Sequence, residues 1–400
     1  MDVTWSTAAF HRQTAREAIG PIERAETAIM RGILRIVMLL GLLGQGGTAD
    51  EPPRKSDPSP DGTQQGLIPG NGRRTIDQQA QCSPAGMRRA LIVCGHPGNA
   101  QYERTYAAVL QGLCKGLAEH AEFPADEILV LSGTKAGDAA LPSGGRHGGP
   151  ATRDGIQTAV NELAGKLTPD DTLWVIVVGH THFDGRRALF NLPGPDLDAD
   201  EFGELFQAVT CREQVFFVTT ALSGYAIRPL SRKGRVVIAA TEADQEVNET
   251  VYPILLALML SEPPSAEEFD QDQDGRPTLL DLYLIVSRKV LQAYADAENI
   301  PTEHAQLDDN GDGRGTEIQL DYLDEALGGR ASVGFRPRIP PGADGALAAT
   351  IGLNLTRPSL TRAESSIAEK PQAPKPDTPL NDDRSLKGPD RDTTEKEPGS

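Results

Sequence analysis

No Cys-x-x-Cys pair occurs in this chain, and its four cysteines, Cys82, Cys94, Cys114 and Cys211, stand at unrelated spacings. The spacing therefore offers no redox motif and no disulfide framework, although it is compatible with an oxidising compartment. Cys94 ends an apolar run and Cys114 lies in a helical pattern, so both read as buried free thiols, and spacing leaves a Cys94–Cys114 bridge open. Basic side chains are also scarce: 39 Lys and Arg against 57 Asp and Glu leave a net charge of −18. Such a balance disfavours nucleic-acid backbones and anionic membrane surfaces as partners. Divalent cations are the natural counter-ligands.

Beyond the first fifty residues no stretch is long and apolar enough to span a bilayer. Within them, Met30-Arg31-Gly32-Ile33-Leu34-Arg35 leads into the apolar run Ile36 to Leu43 and then Gly44-Gln45-Gly46-Gly47-Thr48-Ala49. A basic start, a short apolar run and a small-residue end are the grammar of a signal peptide. The expectation is translation from Met30, cleavage after Ala49 and an exported mature protein. Residues 50–87 and 357–400 are rich in Pro, Gly, Asp, Gln, Ser and Lys without apolar periodicity, and read as a disordered linker and tail.

Between them, apolar runs alternate with amphipathic stretches. Arg89 to Cys94, Ile128 to Leu131, Leu173 to Val178, Val215 to Val218 and Val236 to Ala239 read as strands, and helices are expected near 101–120, 152–166, 198–209 and 249–260. Runs without alternation are strands buried on both faces of a mostly parallel sheet. The expected fold is a three-layer α/β/α sandwich over 88–262, with a small helical segment at 263–335 appended to it. Functional groups in such sheets collect at the carboxyl ends of strands, which selects Gly95-His96, Gly133-Thr134, Gly179 to His182 and Thr219 to Gly224.

The third run ends Val177-Val178-Gly179-His180 and the fourth ends Thr219-Thr220-Ala221-Leu222-Ser223-Gly224. This pattern, with Phe190-Asn191-Leu192-Pro193-Gly194-Pro195-Asp196 after the first of them, resembles clan CD cysteine peptidases, the legumains and caspases, over about residues 88–260. In that group one strand ends in His-Gly and the next in a cysteine-bearing turn, so the resemblance implies that His180 handles protons beside a thiolate. Here the nucleophile position falls on Ala221, which cannot attack, and Thr181 stands where the family has Gly. The resemblance therefore implies a legumain-like core without catalysis, serving as a binding or scaffold module, with a protein or peptide as possible partner. The alternative is an active hydrolase. It would be a peptidase using His180 with Thr220 or Ser223, or a metal-dependent enzyme using His180, His182 and Asp184, since His180-Thr181-His182-Phe183-Asp184-Gly185 is also similar to the His-x-His-x-Asp-His signature of metallo-β-lactamase-fold hydrolases. His96 is a further conceivable zinc ligand.

Two acidic runs carry oxygen ligands at EF-hand spacing. In the first, Asp270, Asp272, Asp274, Thr278 and Asp281 occupy loop positions 1, 3, 5, 9 and 12, Gly275 takes the sharp turn at 6, and Arg276 offers its carbonyl at 7. Asp281 replaces the longer Glu and Pro277 sits at position 8, so calcium is expected to bind weakly, at about 10⁻⁴ to 10⁻³ M. In the second, Asp308, Asn310 and Asp312 fill positions 1, 3 and 5, with Thr316 at 9 and Gln319 at 12.

Overall fold

The computed structural model describes residues 86–134, 145–243, 246–331 and 337–354. The expected signal segment at 30–49, nearly all of the 50–87 linker, the 357–400 tail and Cys82 lie outside the described residues.

Seven strands form the main sheet. They are β1 (Arg88–Cys94), β2 (Ile128–Ser132), β3 (Arg146–Pro150), β4 (Thr172–Val178), β8 (Glu213–Val218), β9 (Arg235–Ala239) and β10 (Gln306–Asp308), in the order β10-β9-β8-β4-β1-β2-β3. All neighbours pair in parallel except β10, which runs antiparallel to β9. The mostly parallel α/β sandwich read from the sequence is the fold observed.

Why the apolar runs do not alternate is visible in the two cores. Ala90, Ile92 and Cys94 of β1 face one helical layer while Leu91 and Val93 face the other, and β4 divides in the same way, with Trp174 and Ile176 against Leu173 and Val175. Each strand needs apolar side chains on both faces, at about 1.5–3 kcal/mol per large side chain buried. The first layer contains α1 (Ala100–Glu119), α5 (Tyr252–Ser261) and α7 (Leu279–Asp296); the second contains α2 (Arg153–Lys166), α3 (Ala199–Leu205) and α4 (Ile227–Leu230). Asn99 starts α1 by accepting from the Gln101 and Tyr102 amides, and Thr152 starts α2 by accepting from Gly155.

A second sheet of three short antiparallel strands, β5 (Thr181–Phe183), β6 (Ala188–Phe190) and β7 (Leu197–Asp198), follows directly from β4. A single turn of helix, α6 (Ala266–Phe269), precedes the first acidic loop.

The 263–335 segment, expected as an appendage, is built into the sandwich instead. α7 packs on α5 within the first core, and β10 extends the sheet beside β9. The reason is composition: Leu279, Leu282, Tyr283, Val286 and Val290 of α7 are all at most 2% exposed, an apolar face buried in the first core beside α5.

Candidate functional site

The chain leaves β1 for β2 and β3 on one side, then returns to β4 on the other side of β1. The connections that leave these two neighbouring strands thus part to opposite sides at their carboxyl ends, the place where open α/β sheets form a crevice. Gly179 ends β4 with φ +146°, and a Cβ there would stand 3.2 Å from the Gly95 amide nitrogen, so only glycine lets the two strand ends close up.

His180 follows and is enclosed from three sides. Its Nδ1 lies 2.5 Å from Glu249 Oε1 and its Nε2 lies 3.0 Å from the Pro97 carbonyl oxygen. Tyr102 meets the ring edge-on at 4.6 Å between centroids, and the Tyr106 hydroxyl is 3.2 Å from Nε2. A carboxylate and a carbonyl are both acceptors, so the ring satisfies them together only when both nitrogens carry protons. Burial opposes that charge and is the largest single influence; the Glu249 hydrogen bond, its charge and the Pro97 carbonyl outweigh it and hold His180 above the ordinary histidine value. An imidazolium with both N–H groups engaged has no lone pair with which to accept a proton from a nucleophile.

The turn after β8 is closed as well. Ala221 is 1% exposed and presents only a methyl to this turn. Thr220 accepts from the Thr181 hydroxyl at 2.8 Å and donates to the Ala221 carbonyl, while Ser223 exchanges bonds with the Thr241 hydroxyl and amide. Leu222 carries φ +55°, a left-handed conformation that costs a non-glycine residue about 1 kcal/mol. The segment after β9 lies over this turn: Leu222 donates to the Glu246 carbonyl, Thr250 donates to the Thr219 carbonyl at 2.5 Å, and a Cβ on Gly224 would meet the Ala243 nitrogen at 2.3 Å. Between His180 and Thr220 the remaining void is about 10 Å³, at the threshold for a single water.

His180, His182 and Asp184 are not brought together. His182 is exposed on β5 and pairs through Nδ1 with Asn191 Oδ1 at 2.6 Å. Asp184 shapes the β5–β6 hairpin by accepting from the Arg186 and Arg187 amides, which hold its carboxyl below the usual range. His96, exposed at the end of β1, accepts from the Gly98 amide. Among the described residues, three potential ligand side chains converge within 4.8 Å only at Asp270, Asp272 and Asp274. The three thiols described are free, and burial pushes Cys94 and Cys114 up to about 12 and Cys211 up to about 11, which makes them poor nucleophiles at neutral pH.

The two acidic loops share one backbone plan. Positions 4 and 6 are left-handed in both, at Gln273 and Gly275 and at Gly311 and Gly313. The position-1 carboxylates accept from loop amides, Asp270 from Asp274 and Gly275, and Asp308 from Gly311 and Gly313. In each loop the residue at position 3 accepts from position 5, and position 5 accepts from position 7. They part at position 12. Asp281 is buried at the mouth of the first loop, accepting from Gln271, Asp272 and Thr278, whereas Gln319 is turned to Tyr283 and the Ala305 carbonyl. In the first loop, burial and then the Asp281 charge push Asp272 up to about 6.

Glu249, Tyr102, Tyr106 and the Pro97 carbonyl were not legible as partners of His180, because no local pattern joins residues so far apart in the chain. No protein-family model matches the chain, and neither does any curated protein. Among solved structures, caspase-1 from Spodoptera frugiperda aligns over 59% of this chain and 95% of its own, at 14% identity and a TM-score of 0.36. At that identity and score the likeness carries no argument about catalysis or ligands, and the α/β architecture stands on its own strand order.

Proposed function

We propose that this chain is an exported calcium-binding protein whose legumain-like core is catalytically silent and serves as a binding or scaffold module. The observation that carries the calcium reading is the convergence of the Asp270, Asp272 and Asp274 carboxylates, each offering an oxygen within 4.8 Å of the others, beside the buried Asp281. Three like charges so close repel one another, and a hard divalent cation is the ligand that relieves them. Arg276 would contribute its carbonyl and Thr278 its position-9 oxygen. The second loop, with Asp308, Asn310 and Asp312, has the same turns without an acidic position 12, and is the weaker site.

The silent core is supported by the state of the strand ends. His180 is engaged at both nitrogens, Ala221 offers no nucleophile, and Thr220 and Ser223 spend their hydroxyls elsewhere. Export follows from the segment at 30–49.

Calorimetric titration of calcium into protein starting at residue 50, with Asp270→Ala and Asp308→Ala alongside, tests the reading. Heat that disappears in Asp270→Ala alone is expected. No heat at millimolar calcium would leave both loops as ordinary turns and overturn the proposal.

A further inference from the structure

Away from the strand-end crevice, α7, the stretch Pro301–Ala305 and the turn at 317–320 enclose a cavity of about 330 Å³. That volume falls within the range of small-molecule sites, about 300–1,000 Å³, and dwarfs the void beside His180. Val290, Leu291 and Leu320 give the lining its apolar surface, and Ser287, Glu303 and Glu317 give it polar atoms.

Two of these polar atoms are shut off from solvent with no partner in good hydrogen-bond geometry: the Ser287 hydroxyl, on a residue 2% exposed and beside the Tyr283 side chain, and Glu317 Oε2, on a carboxyl that stands against Glu242. A buried carboxylate oxygen left unpaired is unfavourable, and the group that satisfies it must bring an N–H or O–H donor.

Charge selects the donor. Glu303 and Glu317 line the cavity, and Glu242 and Glu246 stand close enough to Glu317 to raise its carboxyl, after burial and against His304. The basic group in the lining, His304, is already engaged through Nδ1 with Glu246. Glu303 is held in place at the start of α5, accepting from the Val251 and Tyr252 amides and from the Tyr294 hydroxyl, and burial pushes its carboxyl up to about 7, so it neither turns into the cavity as a ligand nor brings a full charge at neutral pH.

The cation is not a bare metal ion. These carboxylates do not converge in the way the Asp270, Asp272 and Asp274 group does, and the apolar half of the lining would gain nothing from a hydrated divalent ion. An amphipathic cation uses both halves.

We propose that this cavity binds a small organic ammonium ion, which donates to Glu317 Oε2 and the Ser287 hydroxyl and lays its hydrocarbon body against Val290, Leu291 and Leu320. The site is separate from His180 and from the first acidic loop but takes Glu317 and Gln319 from the second, so it stands or falls independently of the calcium site assigned to Asp270, Asp272 and Asp274.

The test uses the full chain titrated with hexylammonium, hexanol and hexanoate, followed by calorimetry and by ligand-observed NMR. Hexylammonium saturates one site below about 10 mM, hexanol binds at least about tenfold more weakly, and hexanoate does not bind. Glu317→Gln weakens hexylammonium by about tenfold or more. Leu291→Trp fills the cavity and abolishes binding without altering charge, which keeps the test decisive if the first variant folds poorly. Asp270→Ala leaves hexylammonium binding unchanged. Equal affinity for hexanol and hexylammonium, no saturation by hexylammonium, or unchanged binding in either cavity variant would overturn the assignment.

Discussion

Calcium should stabilise this protein in a manner that depends on pH, and the size of the effect follows from the first acidic loop. Asp272 is held up at about 6 by burial, then by the charge of Asp281, with Asp274 and Asp270 adding to it. A carboxylate raised in the folded state favours folding in its protonated form. That contribution is complete below the unfolded value of about 3.9 and disappears as pH rises through the folded one. Without calcium, the fold therefore loses stability between about pH 4 and about pH 6. Calcium binds the ionised, folded loop and reverses this. For an affinity of about 10⁻⁴ to 10⁻³ M, about 10 mM calcium contributes RT ln(1 + [L]/Kd), or about 1.4–2.7 kcal/mol. In a domain of this size that raises the melting temperature by about 3–11 °C. Scanning calorimetry of the full chain at about pH 7.5 and about pH 5, with and without calcium, reads it directly. The rise should be present at the higher pH and shrink by more than half at the lower, where Asp272 is largely protonated. An equal rise in Asp270→Ala, or a larger one at the lower pH, would refute the reasoning.

Ala221→Cys should not produce a peptidase, because both His180 nitrogens are already engaged, by Glu249 and by the Pro97 carbonyl; cleavage of a pooled fluorogenic peptide set would show that the ring is free to act. Glu249→Gln should lower the His180 titration seen by NMR, since the hydrogen bond and charge of Glu249 oppose the effect of burial. In the unsubstituted protein, the stability that His180 contributes is present below the ordinary histidine value and is lost as pH rises through the raised one. That dependence should weaken in the variant, and an unmoved titration would contradict the assignment. Arg235→Leu should cost about 3 kcal/mol or more in urea unfolding, because it strips donors from Gln214 Oε1 and from the Phe206 and Leu230 carbonyls inside the second core. Arg235→Lys should recover little of this, lacking the planar fork that serves three acceptors at once.

The five central strands were legible because a parallel strand must be apolar on both faces, a requirement written in consecutive residues such as Leu173 to Val178. The two edge strands were not. β3 reads Arg-His-Gly-Gly-Pro and β10 is Gln-Leu-Asp, with neither length nor apolarity to mark them, and they are strands only because β2 and β9 offer them an open edge. The apolar face of α7 was equally visible, but its destination was not. The neighbouring helix α5 of the first core, rather than a partner helix in a separate lobe, covers it.

The chain by itself determined what depends on neighbours in sequence: strand and helix periodicity, the carboxylate spacing of Asp270 to Asp281, and an alanine at 221 in the turn after the fourth apolar run. Tertiary structure decided what depends on residues brought from afar. Glu249 is 69 positions from His180 and Pro97 is 83, and together they engage both nitrogens of a candidate base. Glu317 and Ser287 likewise meet across one cavity from separate elements. Local backbone geometry is encoded within a turn or two, whereas a hydrogen-bond partner, a buried charge or a cavity wall exists only once the sheet has set distant segments side by side.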